Sequence, residues 1–140
     1  MNTNQLQLCS LEQSKQLKAA GFDWPTISYW DTSVNIRLRH HYKPIDHNND
    51  AQYAKEEWGK YISAPTVAHA LKFLRDEKGI IGIVNFCGEN CLYYYTISFR
   101  QTSGSRYKKI GESYESYELA ESALLDELLT LIEKENGQTN

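Results

Sequence analysis

Apolar and polar positions change period several times along the chain, and each change marks an element. In "CSLEQSKQLKAAGF" Leu11, Leu17 and Ala20 lie toward one side of a helical spiral. Ser10 and Gln13 match a capping box, Gly21 can take the left-handed conformation that ends a helix, and Pro25 blocks continuation, so a helix is expected over 11–20. The period then drops to two. Thr26 to Trp30 is rich in strand formers, and Val34, Ile36 and Leu38 alternate with Asn35, Arg37 and Arg39. With a turn at 31–33, this predicts a hairpin whose wet face bears Arg37 and Arg39. The next stretch, 40–62, has no clear period. Asp46 to Asp50 is turn-forming, "AQYAKEEWGKY" can make a turn or two of helix, and the whole is expected to be an irregular connector packed by Tyr53 and Trp58.

Helical spacing returns in "SAPTVAHALKFLRDEKG", where Val67, Ala70, Leu71 and Leu74 form the stripe. Ser63 or Ala64 would cap this helix, Pro65 suits its first turn, Lys72, Arg75 and Lys78 favour its C-terminal half, and Gly79 stops it. Strands are expected at 80–86, 91–99 and 106–110, with "GEN" as the first turn. Cys91, Tyr93, Tyr95, Ile97 and Phe99 form the better core face of the middle strand. A last helix follows from about Tyr117. Tyr117, Ala120, Leu124, Leu128 and Leu131 make one stripe, and Leu125, Leu129 and Ile132 widen it to about half the circumference. This extra surface needs a cover, either the N-terminal half or a second chain. Leu125, Leu129 and Ile132 are therefore the candidate partner contacts.

These elements predict one α+β domain over residues 1–140, with an antiparallel sheet and helices on one face. The helix–meander–helix core spans 65–134, and 1–8 and 136–140 are loose. Composition fits a soluble globular protein: 41% hydrophobic, 24% charged and a net charge of −3. No apolar run reaches the ~20 residues of a membrane span, and the start lacks signal-peptide character, so a cytoplasmic protein without membrane association is expected. Three cysteines argue against a disulfide framework, and ten tyrosines supply area for a core or an interface.

Candidate chemistry is sparse. Cys87 and Cys91 flank one turn, close enough for a redox pair or half a metal site, but the ligands for a whole zinc site are missing. His40, His41 and His47, with Asp46 and Asp50, could serve a metal or acid–base chemistry in a loop, and a solvated polar loop is the simpler reading. Mid-helix His69 reads as a helix-surface or packed histidine. No nucleophile elbow, phosphate loop or dinucleotide fingerprint occurs, so neither enzyme activity nor a cofactor is expected. The basic group Arg100, Arg106, Lys108 and Lys109, with Tyr107 interleaved, is a candidate contact for nucleic acid or another anion.

The helix, three-strand, helix order over 65–134, with Ala120 and Ala123 on its final helix, resembles the topology of double-stranded RNA-binding domains. That family binds RNA with lysines at the start of the last helix. Here Glu115, Glu118 and Glu121 stand there and would repel phosphate. The likeness therefore implies a fold rather than RNA binding. "LEQSKQLKAAGFDWPT", "SAPTVAHALKFLRDEKGI" and "YESYELAESALLDELL" resemble blocks of small uncharacterised proteins in prophages and other mobile elements of gut-type Gram-negative anaerobes. That resemblance implies a genomic setting and no activity. The expected function is a macromolecular interaction module, binding a protein partner or itself. Nucleic-acid binding comes next, and a histidine-dependent enzyme last.

Overall fold

A computed structural model describes residues 7–33, 35–49, 61–100 and 103–138. Val34, Asp50 and the segment of Tyr53 and Trp58 lie outside the described residues, as do most of 1–8 and the last two residues. The chain is α+β, with three helices and two antiparallel three-stranded sheets. It divides into two compact units, residues 1–66 and 67–140.

The first unit begins with α1 (Leu11–Ala19). Its capping box forms as its residues require: Gln13 N donates to Ser10 Oγ at 3.1 Å and Ser10 N donates to Gln13 Oε1 at 3.0 Å. Gly21, at φ 90°, ends the helix, and Phe22 N closes back onto the Leu17 carbonyl at 2.9 Å. The sheet of this unit has the order β2-β1-β3, with β1 Thr26–Asp31, β2 Arg37–Ile45 and β3 Tyr61–Ser63. Leu17, Phe22, Tyr29, Ile45 and Ile62 form its core with Cys9. Leu8 bridges Thr66, so chain order begins earlier than the composition of 1–8 implies.

Three expectations change here. Residues 40–45 belong to β2 rather than to a loop, and β3 lies in the stretch expected to be irregular. Edge strands with polar residues on both sides have no apolar alternation to reveal them. Ser63 sits in β3, opposite Tyr29, and is not a helix cap.

The second unit runs α2 (Val67–Lys78), β4 (Ile81–Cys87), β5 (Leu92–Arg100), β6 (Arg106–Tyr114) and α3 (Tyr117–Gln138). Each strand pairs with its sequence neighbour in the order β4-β5-β6. Gly79, at φ 69°, ends α2. Ser116 Oγ accepts from Leu119 N at 3.2 Å and caps α3. The β4–β5 turn differs from a three-residue "GEN" turn. Cys87 pairs with Leu92, four residues form the loop, and Cys91 rather than a glycine takes the left-handed conformation at φ 56°. α3 also runs past 136, where looseness is expected.

α3 packs on α2 and on all three strands. Its buried face is Ala120, Leu124, Leu125, Leu128, Leu129 and Ile132 with Glu121, whereas Tyr117 is exposed. Leu124 and Leu128 of the first stripe and all of the second are thus inside, joined into one broad face, while Leu131 is half-buried. No helix among the described residues is long and apolar enough to cross a membrane.

Candidate interaction surface

Residues paired directly across an antiparallel ladder point to the same side, so the register of the second sheet sorts its faces. Gly82 pairs with Ile97, Val84 with Tyr95, and Phe86 with Tyr93, and this side meets α3. A Cβ built on Gly82 would lie 2.7 Å from Leu124 Cδ1. The other side carries Ile81, Ile83, Asn85 and Cys87 of β4, Thr96 and Ser98 of β5, and Lys108 and Ile110 of β6. Its isoleucines face water: Ile81 is 38%, Ile83 53% and Ile110 72% exposed. Isolated exposed apolar residues are ordinary, but Ile83 and Ile110 flank Thr96 in one cross-strand row with Ile81 beside it, making a patch.

The four sheet edges differ sharply. An open edge presents unpaired N–H and C=O groups, and proteins protect such edges with charge, proline, bulges or brevity. β2 carries Arg37, Arg39, Lys43 and Pro44. β3 is three residues long, and Asn48 Oδ1 takes the Ser63 amide at 2.9 Å. β6 has Arg106, Lys108, Lys109 and Glu112, and its pairing with β5 is irregular between Tyr94 and Thr96. β4, "IGIVNFC", has no charge and no proline, and its Phe86 is 57% exposed.

The basic group divides between the two faces. Arg106 pairs opposite Arg100 and donates Nε to Ser98 Oγ at 2.9 Å, and with Lys108 it belongs to the open side. Tyr107 turns to the helix side and stacks on Phe99, 4.8 Å between ring centres. Lys109 also turns there and pairs with Glu127, which accepts from Tyr95 Oη as well. Burial works to raise the Glu127 carboxyl, but the hydrogen bonds from Lys109 and Tyr95 outweigh it and hold the group below the usual range. Burial first, then the bond to Glu127, pushes the Tyr95 phenol up.

The structure brings His41 and His47 together but not His40. His40 faces Ser28, with Nδ1 2.7 Å from its Oγ, while the next residue, His41, stands on the opposite side of β2 near His47. Fully buried His47 stacks on Tyr29 at 4.4 Å and bonds the Thr26 carbonyl through Nε2 at 3.0 Å. Among the described residues no group of three or more acidic, histidine or cysteine side chains could hold a metal. No disulfide joins Cys9, Cys87 and Cys91. Burial lowers the His69 imidazole, with Lys72 adding to it. Leu125, Leu129 and Ile132 are interior residues, not an open surface.

The uncharged run Gly79–Gly88 is visible in the sequence as a strand. That it lies at an edge depends on strand order, which no local pattern carries. The chain matches no family model, no curated protein and no solved structure.

Proposed function

We propose that the chain is a non-enzymatic protein-interaction module, cytoplasmic in setting, that works through the β4 edge and the open side of its second sheet. The uncharged β4 edge, with Ile81, Ile83 and Phe86 exposed beside it, carries this reading. Such an edge accepts an extended segment by main-chain hydrogen bonding, while adjacent side chains supply selectivity. Three cysteines that form no disulfide fit a reducing compartment. Selection from a random peptide library tests the function. Enriched peptides should be apolar and extended, and their binding should be lost in I83K and F86K. A library that yields no binder dependent on these positions counts against it.

A second reading is anion or nucleic-acid binding by Arg100, Arg106 and Lys108. It is favoured by their common position on the open side and by the lack of an ion pair on any of them among the described residues. The diversion of Tyr107 and Lys109 to the helix side weakens it. Gel shifts in low salt, where phosphate attraction is strongest, test it with single- and double-stranded DNA and RNA. No shift at micromolar protein ends this reading.

A further inference from the structure

We infer that the occupant of the β4 edge is β4 of a second copy, paired antiparallel about a twofold axis at Val84 to give one six-stranded sheet. This rests on the interaction reading above and names its partner.

The strand itself supplies the argument. Two copies of "IGIVNFC" can approach without bringing like charges together, which β2 and β6 cannot do. A twofold axis perpendicular to the sheet keeps the helix layers of both copies on one side, so helix-side positions 82, 84 and 86 must oppose one another. Centring at Val84 sets Phe86 of each copy opposite Gly82 of the other. Phe86 is the large exposed ring on that side, and at Gly82 it meets no side chain of the strand itself, only the apolar Leu124 methyls that lie over that glycine. On the open side Ile83 of one copy becomes the diagonal neighbour of Ile83 of the other, removing both from water.

Charge at the strand ends agrees with the same register. Lys78 precedes β4 and Glu89 follows it, the nearest charges on either side. An antiparallel pair turns the end of α2 that carries Lys78 in one copy toward the β4–β5 loop that carries Glu89 in the other, twice. A parallel arrangement would place like with like. The pairing also satisfies the free backbone groups of β4 and leaves the protected β6 strands as the outer edges.

Light scattering after size exclusion, on the full chain from micromolar to near-millimolar, should give twice the 16.2 kDa chain mass. I83K should weaken dimerisation by roughly a hundredfold or more, because it sets two ammonium groups close together. Its circular dichroism should be unchanged, since position 83 is exposed. K78E should weaken the dimer by roughly two- to fivefold, and adding E89K should restore it. For register, oxidation of an I81C/C91S double variant should give a covalent dimer through Cys87, and C91S alone should not. A wild-type monomer at every concentration overturns self-pairing. If that monomer still binds selected peptides in an I83K-sensitive way, the interaction reading stands without it. A dimer untouched by I83K, or an I81C/C91S variant that never cross-links, overturns the β4 geometry.

Discussion

The ring of Tyr95 occupies the space that a side chain on Gly111 would need. A Cβ built at Gly111 would lie 2.3 Å from Tyr95 Cζ, closer than atoms can approach. The ring cannot easily yield, because its hydroxyl is tied to Glu127. G111A should therefore destabilise the protein by about 2–3 kcal/mol in urea melts, the upper part of the range for overpacking. G82A meets the Leu124 side chain, Cδ1 at 2.7 Å and Cγ at 3.0 Å, which no hydrogen bond tethers, and should cost less, about 1 kcal/mol. Equal costs at the two positions would refute the assigned role of the Tyr95 tether.

Two carboxyls make stability depend on pH in opposite directions. Glu127 is held low in the folded state, so its contribution is present above its unfolded pKa and is lost as pH falls through the folded one. E127Q should be clearly less stable than wild type at neutral pH, and the gap should close in acid. Burial raises Glu121, with Glu118 adding to it against the hydrogen bond from Tyr117. Its contribution is full below the unfolded pKa and lost as pH rises through the folded one. E121Q should therefore stabilise the protein at neutral pH, and the advantage should vanish at low pH. Urea melts across pH measure both, and parallel curves for the two variants would contradict the assignment.

Asn48 connects three segments of the first unit. It is buried, donates Nδ2 to the Phe22 carbonyl at 2.9 Å and accepts the Ser63 amide at 2.9 Å. N48A leaves both backbone groups without these bonds and should cost about 2–4 kcal/mol. N48D restores the acceptor but not the donor and should recover only part. A loss below about 0.5 kcal/mol, the ordinary spread for surface changes, would show that the bridge is dispensable.

Cys91 is the one non-glycine residue with positive φ among the described residues. It is exposed, so nothing in its packing offsets the strain. C91G should stabilise by about 1 kcal/mol, the cost of holding an L-residue in the left-handed region. A melting temperature at or below that of wild type would argue against strain there.

The legible parts of this fold are those where local chemistry decides the outcome. Ser10, Gln13 and Gly21 bound α1, and alternation marks Tyr95, Ile97 and Phe99 as the buried side of β5. β3 is too short to show a period, and β2 mixes polar residues on both sides, so both depend on pairing with β1. The same period of two divides Lys108 from Lys109, so the splitting of the basic group between two faces is itself written in the residue order. The importance of β4 is not legible, because an edge is a property of neighbours. Asn48 and His47 stand in a turn-forming string, where nothing marks which polar side chain will be enclosed.

Strand order also sets the sequence of events in folding. In the second unit every strand pairs with the one beside it in the chain, so each step closes a short loop. The first unit must return β3 to β1 across all of β2 and the residues after it. Short-range closure is faster, so the second unit should form ahead of the first. Trp24 and Trp30 lie in the slower unit, and Trp58, the third tryptophan, falls within the same stretch of sequence. In a stopped-flow refolding experiment the rise of far-ultraviolet ellipticity would then precede the change in tryptophan emission, giving each half of the chain its own clock.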